Sequence, residues 1–141
     1  MLGRLYESQN CSISRTLELV GERWSLLILR DAMFAGFTRF SQFQKSLGIA
    51  TNVLTKRLED FVEDGIMERR QETGGQAEYL LTRKGRELMP VLMAMTEWGD
   101  KWVRPGPIAM ETRSHQPVQM QIRGRTGRTE FDVDDIVAVL R

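Results

Sequence analysis

Two short amphipathic segments separated by a glycine constrain the fold of this 141-residue chain more than any other feature. Residues 41–47 can form two turns of helix with aromatic and leucine side chains on one face, and Gly48 then interrupts the pattern. The second segment, 51–64, keeps helical spacing and ends at Gly65. Two short helices joined by a glycine-containing turn predict a helix-turn-helix.

The second of these helices has one apolar face and one polar face. The apolar face consists of Leu54, Leu58 and Phe61, followed by Val62. The residues left pointing outward are Asn52, Thr55, Lys56 and Glu59. Outward polar side chains near a helix N-terminus are what a recognition helix offers to base edges in the major groove of DNA.

The distribution of charge is more informative than its total. The formal net charge is +1, from 20 basic and 19 acidic residues, which alone does not indicate a nucleic-acid binder. Between Asp31 and Glu59, however, the acidic residues are missing and the basic ones are Arg39, Lys45, Lys56 and Arg57. This basic island favours contact with phosphates; a solvated helix face is the alternative that the sequence leaves open.

Two further helices are predicted before this motif. An amphipathic helix covers residues 11–20 and stops at Gly21. Residues 24–34 are apolar on most sides, which predicts the central core helix. A brief extended link over 38–40 then leads to Ser41, a good N-cap for the first helix of the motif.

A β-hairpin is predicted directly after the helix-turn-helix. Residues 66–73 and 76–82 flank a Gly74-Gly75 pair, which supplies the positive φ angles of a two-residue turn. Arg69 and Arg70 add positive charge at its base. This order of elements is that of a winged helix, and the hairpin either lies against the DNA backbone or only covers the core.

The segment from Thr82 onward predicts a long helix with a threonine cap and an apolar stripe. Pro90 should bend this helix or mark its early turns. The stripe consists of Leu88, Leu92, Met95, Trp98 and Trp102. A stripe with two tryptophans needs a partner surface, either the protein's own first helix or a second subunit.

The sequence divides into a domain over 1–104, a proline-containing linker over 105–116 and an extension over 117–141. Alternating apolar residues at 118–122 and 129–133, around an RGRTGR turn, predict a second hairpin. Asp134 or Asp135 would then cap a short closing helix. The apolar side of that helix would be Ile136, Val137, Val139 and Leu140. The role of the extension is left open.

Several classes of protein and site are not expected. Cys11 is the sole cysteine and His115 the sole histidine, so neither a disulfide within the chain nor a zinc site is predicted. No apolar run approaches the ~20 residues that span a bilayer, and the first residues lack a secretion signal, so we expect a cytoplasmic protein without membrane contact. No cofactor is predicted. Enzymatic activity is not expected either, because no phosphate-binding loop and no paired nucleophile and base are visible.

Three strings of residues resemble a known family. They are GERWSLLILRDAMFAG, TRFSQFQKSLGIATNVLTKRLEDFVEDGIMERR and EYLLTRKGRELMPVLMAMTEW, preceded by Cys11. In this order they resemble the HxlR-type winged-helix transcriptional regulators of bacteria, whose architecture is related to that of MarR-like regulators. The resemblance implies a mainly α fold with a small β-hairpin (α+β), a winged helix-turn-helix with N- and C-terminal dimerisation helices; the C-terminal hairpin and helix are additional.

The resemblance implies a sequence-specific regulator that binds double-stranded DNA as a homodimer on a pseudo-palindrome, most often as a repressor. The predicted DNA-binding residues are Arg39, Ser41, Lys45, Thr51, Asn52, Thr55, Lys56, Arg57, Arg69 and Arg70, of which Lys45 and Arg57 suit phosphates. The predicted dimer interface is Ile13, Leu17, Leu88, Leu92, Met95, Trp98 and Trp102. A small-molecule effector of unknown identity fits this class of protein, and a protein-binding adaptor without sequence-specific DNA binding is the alternative.

Three places depart from the family pattern, one of which is the tail after Pro107, which the family core does not require. Ala50 stands where a helix-capping serine is usual, so Thr51 would take over the cap. The wing, ETGGQAEY, is shorter than usual and lacks its proline pair, which puts contacts of the wing with the minor groove in doubt.

Cys11 has two interpretations. Most free cysteines are small buried residues, and a structural role at a helix start is the simpler one. A thiol at a helix N-terminus also has a lowered pKa and reacts with oxidants, and some family members use a cysteine at the matching position as a sensor.

Overall fold

The computed structural model describes residues 11–106, 113–127 and 130–137. This part of the chain is mainly helical with one small antiparallel hairpin, which confirms the predicted fold class. The helices are α1 (Ser12–Val20), α2 (Ser25–Phe34), α3 (Phe40–Leu47), α4 (Thr51–Glu63), α5 (Arg83–Arg86) and α6 (Met89–Trp102); the strands are β1 (Met67–Arg70) and β2 (Glu78–Leu81). The chain forms two compact units that divide between Leu92 and Met93. The division into domain, linker and extension at 104 and 117 stays a prediction.

The first unit is built around one apolar core. Its fully or almost fully buried side chains are Val20, Ile28, Leu29, Phe43, Ile49, Leu54, Leu58, Phe61, Ile66, Met67 and Leu92. The predicted apolar face of α4 therefore packs inward, and Val62 lies at its edge with 36% of its surface exposed. This packing fixes the opposite face of α4 toward solvent.

Helix α3 begins one residue earlier than predicted, and its N-cap is Arg39 rather than Ser41. The side-chain oxygen Oε1 of Gln42 accepts hydrogen bonds from the backbone N–H groups of Thr38 and Arg39, both at 3.0 Å. Gln42 thus makes the reciprocal bond of a capping box, from the third helical position back to the N-cap backbone, and Ser41 lies inside the helix.

The hairpin is shorter than predicted. Strand pairing runs from Met67 opposite Leu81 to Arg70 opposite Glu78, and residues 71–77 form a loop. The predicted two-residue turn was wrong, because the last strand pair is Arg70 with Glu78 and the glycine pair lies within the longer loop, where Gly74 has a φ angle of +78°. The other edge of β2 is also occupied, since the Tyr79 N–H donates to the carbonyl oxygen of Thr38 at 2.7 Å.

The predicted long helix is divided in two. Thr82 caps α5, as expected, because its Oγ1 accepts from the Gly85 N–H at 3.1 Å. Pro90 lacks an N–H and its ring would clash with the carbonyl of Arg86, so α5 ends there and α6 begins at Met89.

The extension does not form the predicted strands in the described residues. One isolated antiparallel bridge joins Arg123 to Glu130, and the Met120 N–H donates to a side-chain oxygen of Glu97 instead of to a strand. The closing helix is a single 3-10 turn, Val133–Asp135, capped by Asp132 rather than by Asp134 or Asp135. Oδ1 of Asp132 accepts a hydrogen bond from the Asp134 N–H at 3.1 Å, and Ile136 is already extended, so the helix does not continue. Val139 and Leu140 lie outside the described residues.

Candidate nucleic-acid interface

The outward face of α4 is polar and open to solvent. Its exposed residues are Thr51, Asn52, Thr55, Lys56 and Glu59. The opposite residues Leu54 and Leu58 are 0% exposed. The predicted outward placement is confirmed, because burial of the leucine stripe leaves these side chains no other direction.

A hydrogen bond joins the two helices of the helix-turn-helix. Gly48 takes a left-handed conformation, with φ +61°, which turns the chain sharply between α3 and α4. Across this turn Nε2 of Gln44 donates to Oγ1 of Thr51 at 2.7 Å. The prediction that Thr51 caps α4 was wrong: the N-cap is Ala50, and the Thr51 hydroxyl is held by Gln44 in the first helical turn.

Lys56 is exposed and lies in an ion pair within α4. Its Nζ donates to Oδ1 of Asp60, one helical turn further on, at 2.5 Å. This hydrogen bond, and then the negative charge of Asp60, raise the pKa of Lys56. Lys56 is therefore a cation at any physiological pH.

Arg57 does not lie where the sequence predicted. It is 8% exposed, and its Nη2 lies 3.4 Å from Oδ2 of Asp60. Its position in the helix turns it toward the buried side of α4, so its guanidinium is not presented to a phosphate. The assignment of Arg57 as a phosphate contact is corrected accordingly.

Arg39 lies beside the base of the wing. It forms an isolated antiparallel bridge with Glu78, and its guanidinium donates to Oε1 of Gln76 at 3.4 Å and lies 3.9 Å from Oε1 of Glu78. Arg70 stands opposite Glu78 in the hairpin register. Arg39 and Arg70 are distant in sequence, but each is paired with Glu78, on opposite edges of β2.

The other predicted contacts are exposed as well. Ser41 and Lys45 lie on α3, and Arg69 and Arg70 on β1. The Nη2 atom of Arg70 pairs with Oε1 of Glu68 at 2.5 Å, so part of its charge is already neutralised. Contact of these residues with DNA stays a prediction.

Sequence reasoning missed two residues of this surface, Gln44 and Asp60. The spacing of Lys56 and Asp60, four residues apart on a predicted helix, was a readable signal for the ion pair. The bond from Gln44 to Thr51 had no such signal, because it depends on the angle at which two helices meet.

The predicted dimer stripe is divided between core and surface. Leu92 is 6% exposed and belongs to the core of the first unit, and Leu88 packs against that core. The exposed members are Ile13 (70%), Leu17 (42%), Met95 (52%), Trp98 (63%) and Trp102 (66%). The expectation that Leu92 lies at an interface is corrected, since its side chain is buried in the apolar core of the first unit.

Cys11 is exposed and stands at the N-cap of α1. The backbone N–H of Ser14, and then that of Ile13, lower the pKa of its thiol by favouring the thiolate. Arg15, one helical turn further on, is paired with Glu18, with its Nη1 atom 3.3 Å from Oε1.

Within the described ranges, we find no helix that is both long enough and apolar enough to span a membrane.

The family model of the HxlR-like helix-turn-helix matches residues 19–107, which includes the helix-turn-helix and the wing. The chain belongs to the HxlR family. It is therefore a DNA-binding transcriptional regulator of the helix-turn-helix type. A helix-turn-helix transcriptional regulator of Mycobacterium tuberculosis, Rv3095, is 42% identical over 107 residues, covering 74% of this chain and 67% of the relative. A regulator of Bacillus subtilis, YdeP, is 32% identical over 97 residues, covering 67% of this chain and 75% of the relative.

Solved structures are similar to this HxlR regulator over different lengths. PA1607, described as a candidate transcription factor, is 39% identical with a TM-score of 0.82, over 95% of this chain and 97% of that one. That likeness reaches into the C-terminal unit. The redox regulator HypR in its reduced form is 30% identical with a TM-score of 0.59, over 64% of this chain and 92% of that one.

Proposed function

We propose that this HxlR regulator binds a pseudo-palindromic operator as a homodimer and represses transcription by occupying a promoter. The observation that carries the proposal is the placement of Asn52, Thr55 and Lys56 on the exposed face of a helix whose other face is buried. An Asn amide suits the N6 and N7 atoms of adenine and a Lys suits O6 and N7 of guanine, so this face suits direct readout in the major groove.

Phosphate contacts would fix the register of the protein on the duplex. The exposed basic residues around α4 that suit this role are Arg39, Lys45, Arg69 and Arg70. Such contacts carry no sequence information but supply much of the affinity and its salt dependence.

The homodimer is supported by two exposed tryptophan side chains on one helix, which association with a second subunit would remove from water. Trp98 and Trp102 recur one turn apart on α6 and are 63% and 66% exposed. A two-fold dimer would present two copies of α4 to half-sites about one helical turn, ~34 Å, apart.

Selection of bound fragments from genomic DNA tests the proposal. We expect the wild-type protein to retain a few related pseudo-palindromes, and Asn52→Ala together with Lys56→Ala to change which fragments are retained. Retention of the same fragments by the double variant would contradict base readout by α4. Binding that is insensitive to both salt and sequence would instead favour a protein-binding adaptor.

We infer in addition that Cys11 makes the regulator responsive to thiol oxidants. The support is an exposed thiol at a helix N-terminus with a lowered pKa, together with the likeness to the redox regulator HypR. Alkylation with iodoacetamide should then weaken operator binding by the wild-type protein and leave Cys11→Ser unaffected. A thiol pKa near the ordinary value of ~8.5, with unchanged DNA affinity after alkylation, would contradict a sensing role.

A further inference from the structure

One carboxylate of the recognition helix holds two cations. The Oδ1 atom of Asp60 accepts a hydrogen bond from Nζ of Lys56 at 2.5 Å, and its Oδ2 lies 3.4 Å from Nη2 of Arg57. Of these three residues, Lys56 belongs to the surface that the proposed function assigns to base contact. Asp60 therefore competes directly with any DNA acceptor for the same ammonium group.

The two ion pairs differ in how easily they separate. The Arg57 and Asp60 side chains are 9% and 18% exposed, whereas that of Lys56 is 57% exposed. An ion pair with an exposed lysine is weak and exchanges readily with solvent or another anion. Arg57 stays in place when Lys56 leaves, so the half-buried carboxylate is not left without a counter-charge.

The ion pair also sets the direction of the Lys56 side chain. Asp60 lies one turn toward the C-terminus of α4, whereas Asn52 and Thr55 lie toward the N-terminus, the end that recognition helices direct at bases. When it is bonded to Asp60, Lys56 runs away from that end. Contact with a base requires it to reverse direction.

The surroundings of Asp60 favour the ion pair in which Lys56 points toward the C-terminus of α4. Asp60 lines a cavity of about 320 Å³ together with three further carboxylates and two cations, which are Glu18, Glu63, Asp64, Lys56 and Arg57. Burial, and then the charge of Asp60, raise the pKa of Asp64, as expected where carboxylates are close together. An ammonium group at this position offsets part of their repulsion.

We propose that Asp60 is a positioning residue that holds Lys56 back in the DNA-free protein and is exchanged for a DNA acceptor on binding. Asp60 acts through Lys56 and touches no base itself. Because the exchange must be made on any duplex, Asp60 lowers the absolute affinity and shortens the residence time of the regulator on DNA. This inference rests on the proposed function of α4.

Binding of a random-sequence duplex, measured against salt concentration, tests the proposal. Asp60→Asn should raise the affinity about two- to threefold near 0.1 M salt, as expected for the loss of one weak ion pair, and should steepen the salt dependence by up to about one counterion, because it frees one cation for phosphate. In a Lys56→Met background the same substitution should have much less effect. Glu63→Gln is the matched control, since it removes the same charge from α4 outside the ion pair, and it should give a smaller gain.

A gain that persists in the Lys56→Met background, or that Glu63→Gln reproduces in full, would overturn the proposal. Thermal unfolding shows whether Asp60→Asn folds. If it does not, NMR on the wild-type protein decides: the Lys56 Nζ and Asp60 carboxyl resonances should both shift when the selected operator duplex is added. An ion pair that is unchanged in the complex would also overturn it. If the wild-type protein retains selected genomic fragments but the Asp60 experiments fail, the role of Asp60 is wrong and the proposed function still holds. If it retains no selected fragments, the proposed function itself is wrong.

Discussion

Gln44 on α3 and Thr51 on α4 are joined by a 2.7 Å hydrogen bond across the turn of the helix-turn-helix. The bond runs from a side-chain amide to a side-chain hydroxyl, so it fixes both the angle between the helices and the direction of the Thr51 oxygen. The Thr55 hydroxyl in turn donates to the Thr51 carbonyl oxygen at 2.8 Å. The first turn of the recognition helix is thereby ordered before DNA arrives.

Gln44→Ala should weaken operator binding more than it weakens the fold. The lost bond is partly exposed and contributes about 0.5–1 kcal/mol to the free energy of unfolding. Gln42→Ala is the matched control on the same helix, because Gln42 accepts from the Thr38 and Arg39 N–H groups and does not bond to Thr51. We expect Gln42→Ala to lower the free energy of unfolding, measured in urea, by about 1 kcal/mol. Equal operator affinities of the two variants would contradict a role for Gln44 in presenting Thr51.

Lys45→Ala and Arg57→Ala should have opposite consequences. Lys45 is exposed, so its loss should reduce the salt dependence of DNA binding by about one counterion and leave stability nearly unchanged. Arg57 is buried against Asp60, so its loss should cost about 1–3 kcal/mol of unfolding free energy. Urea unfolding and salt titrations on both variants measure the two effects. A reduced salt dependence in a stably folded Arg57→Ala protein would show that Arg57 does reach phosphate.

Gly85→Ala should unfold the first unit easily, whereas Gly99→Ala should not. A Cβ atom on Gly85 would lie within van der Waals overlap of the Ile66 carbonyl oxygen, so α5 would have to move away from the core. Gly99 lies inside α6, and a Cβ there meets open space. We expect Gly99→Ala to stabilise the helix by about 0.5–1 kcal/mol. Thermal unfolding of both variants checks this prediction, which a stable Gly85→Ala protein would contradict.

Trp98→Asp should prevent the proposed homodimer from forming. The side chain is 63% exposed on α6, and a carboxylate there would oppose burial against a second subunit. Trp98→Phe keeps most of the apolar surface and should remain dimeric. Sedimentation equilibrium measures the association, and operator affinity should fall with it because a monomer reads one half-site. A Trp98→Asp protein that sediments like the wild type would place the interface elsewhere.

The positions of the helices could be predicted because their signals are local. Gly48, with a φ angle of +61°, and Gly65, at +71°, end the segments that the glycine pattern marked, and the leucine spacing of α4 was sufficient to assign its buried face. The hairpin was placed correctly but its turn was not. A glycine pair permits a two-residue turn, but the strand register ends at Arg70 and Glu78 and leaves residues 71–77 as a longer loop.

The candidate site was predicted in outline for the same reason. Periodicity places Asn52, Thr55 and Lys56 on the outward face of α4, and burial of the opposite face enforces it. Periodicity does not distinguish neighbours at the boundary between the faces. Lys56 and Arg57 are adjacent cations in the sequence, yet the Arg57 side chain is 9% exposed and that of Lys56 57%.

The amino-acid order alone thus determined the order of helices α1 to α4, the turn between α3 and α4, and which side of α4 is polar. These follow from spacing along a single chain segment and need no knowledge of its neighbours. The tertiary structure decided that Asp60 holds Lys56 and Arg57, that Gln44 holds Thr51, and that Leu92 serves the core. The surroundings of such a side chain depend on segments that only folding brings together, so its exposure cannot be read from its own position in the sequence.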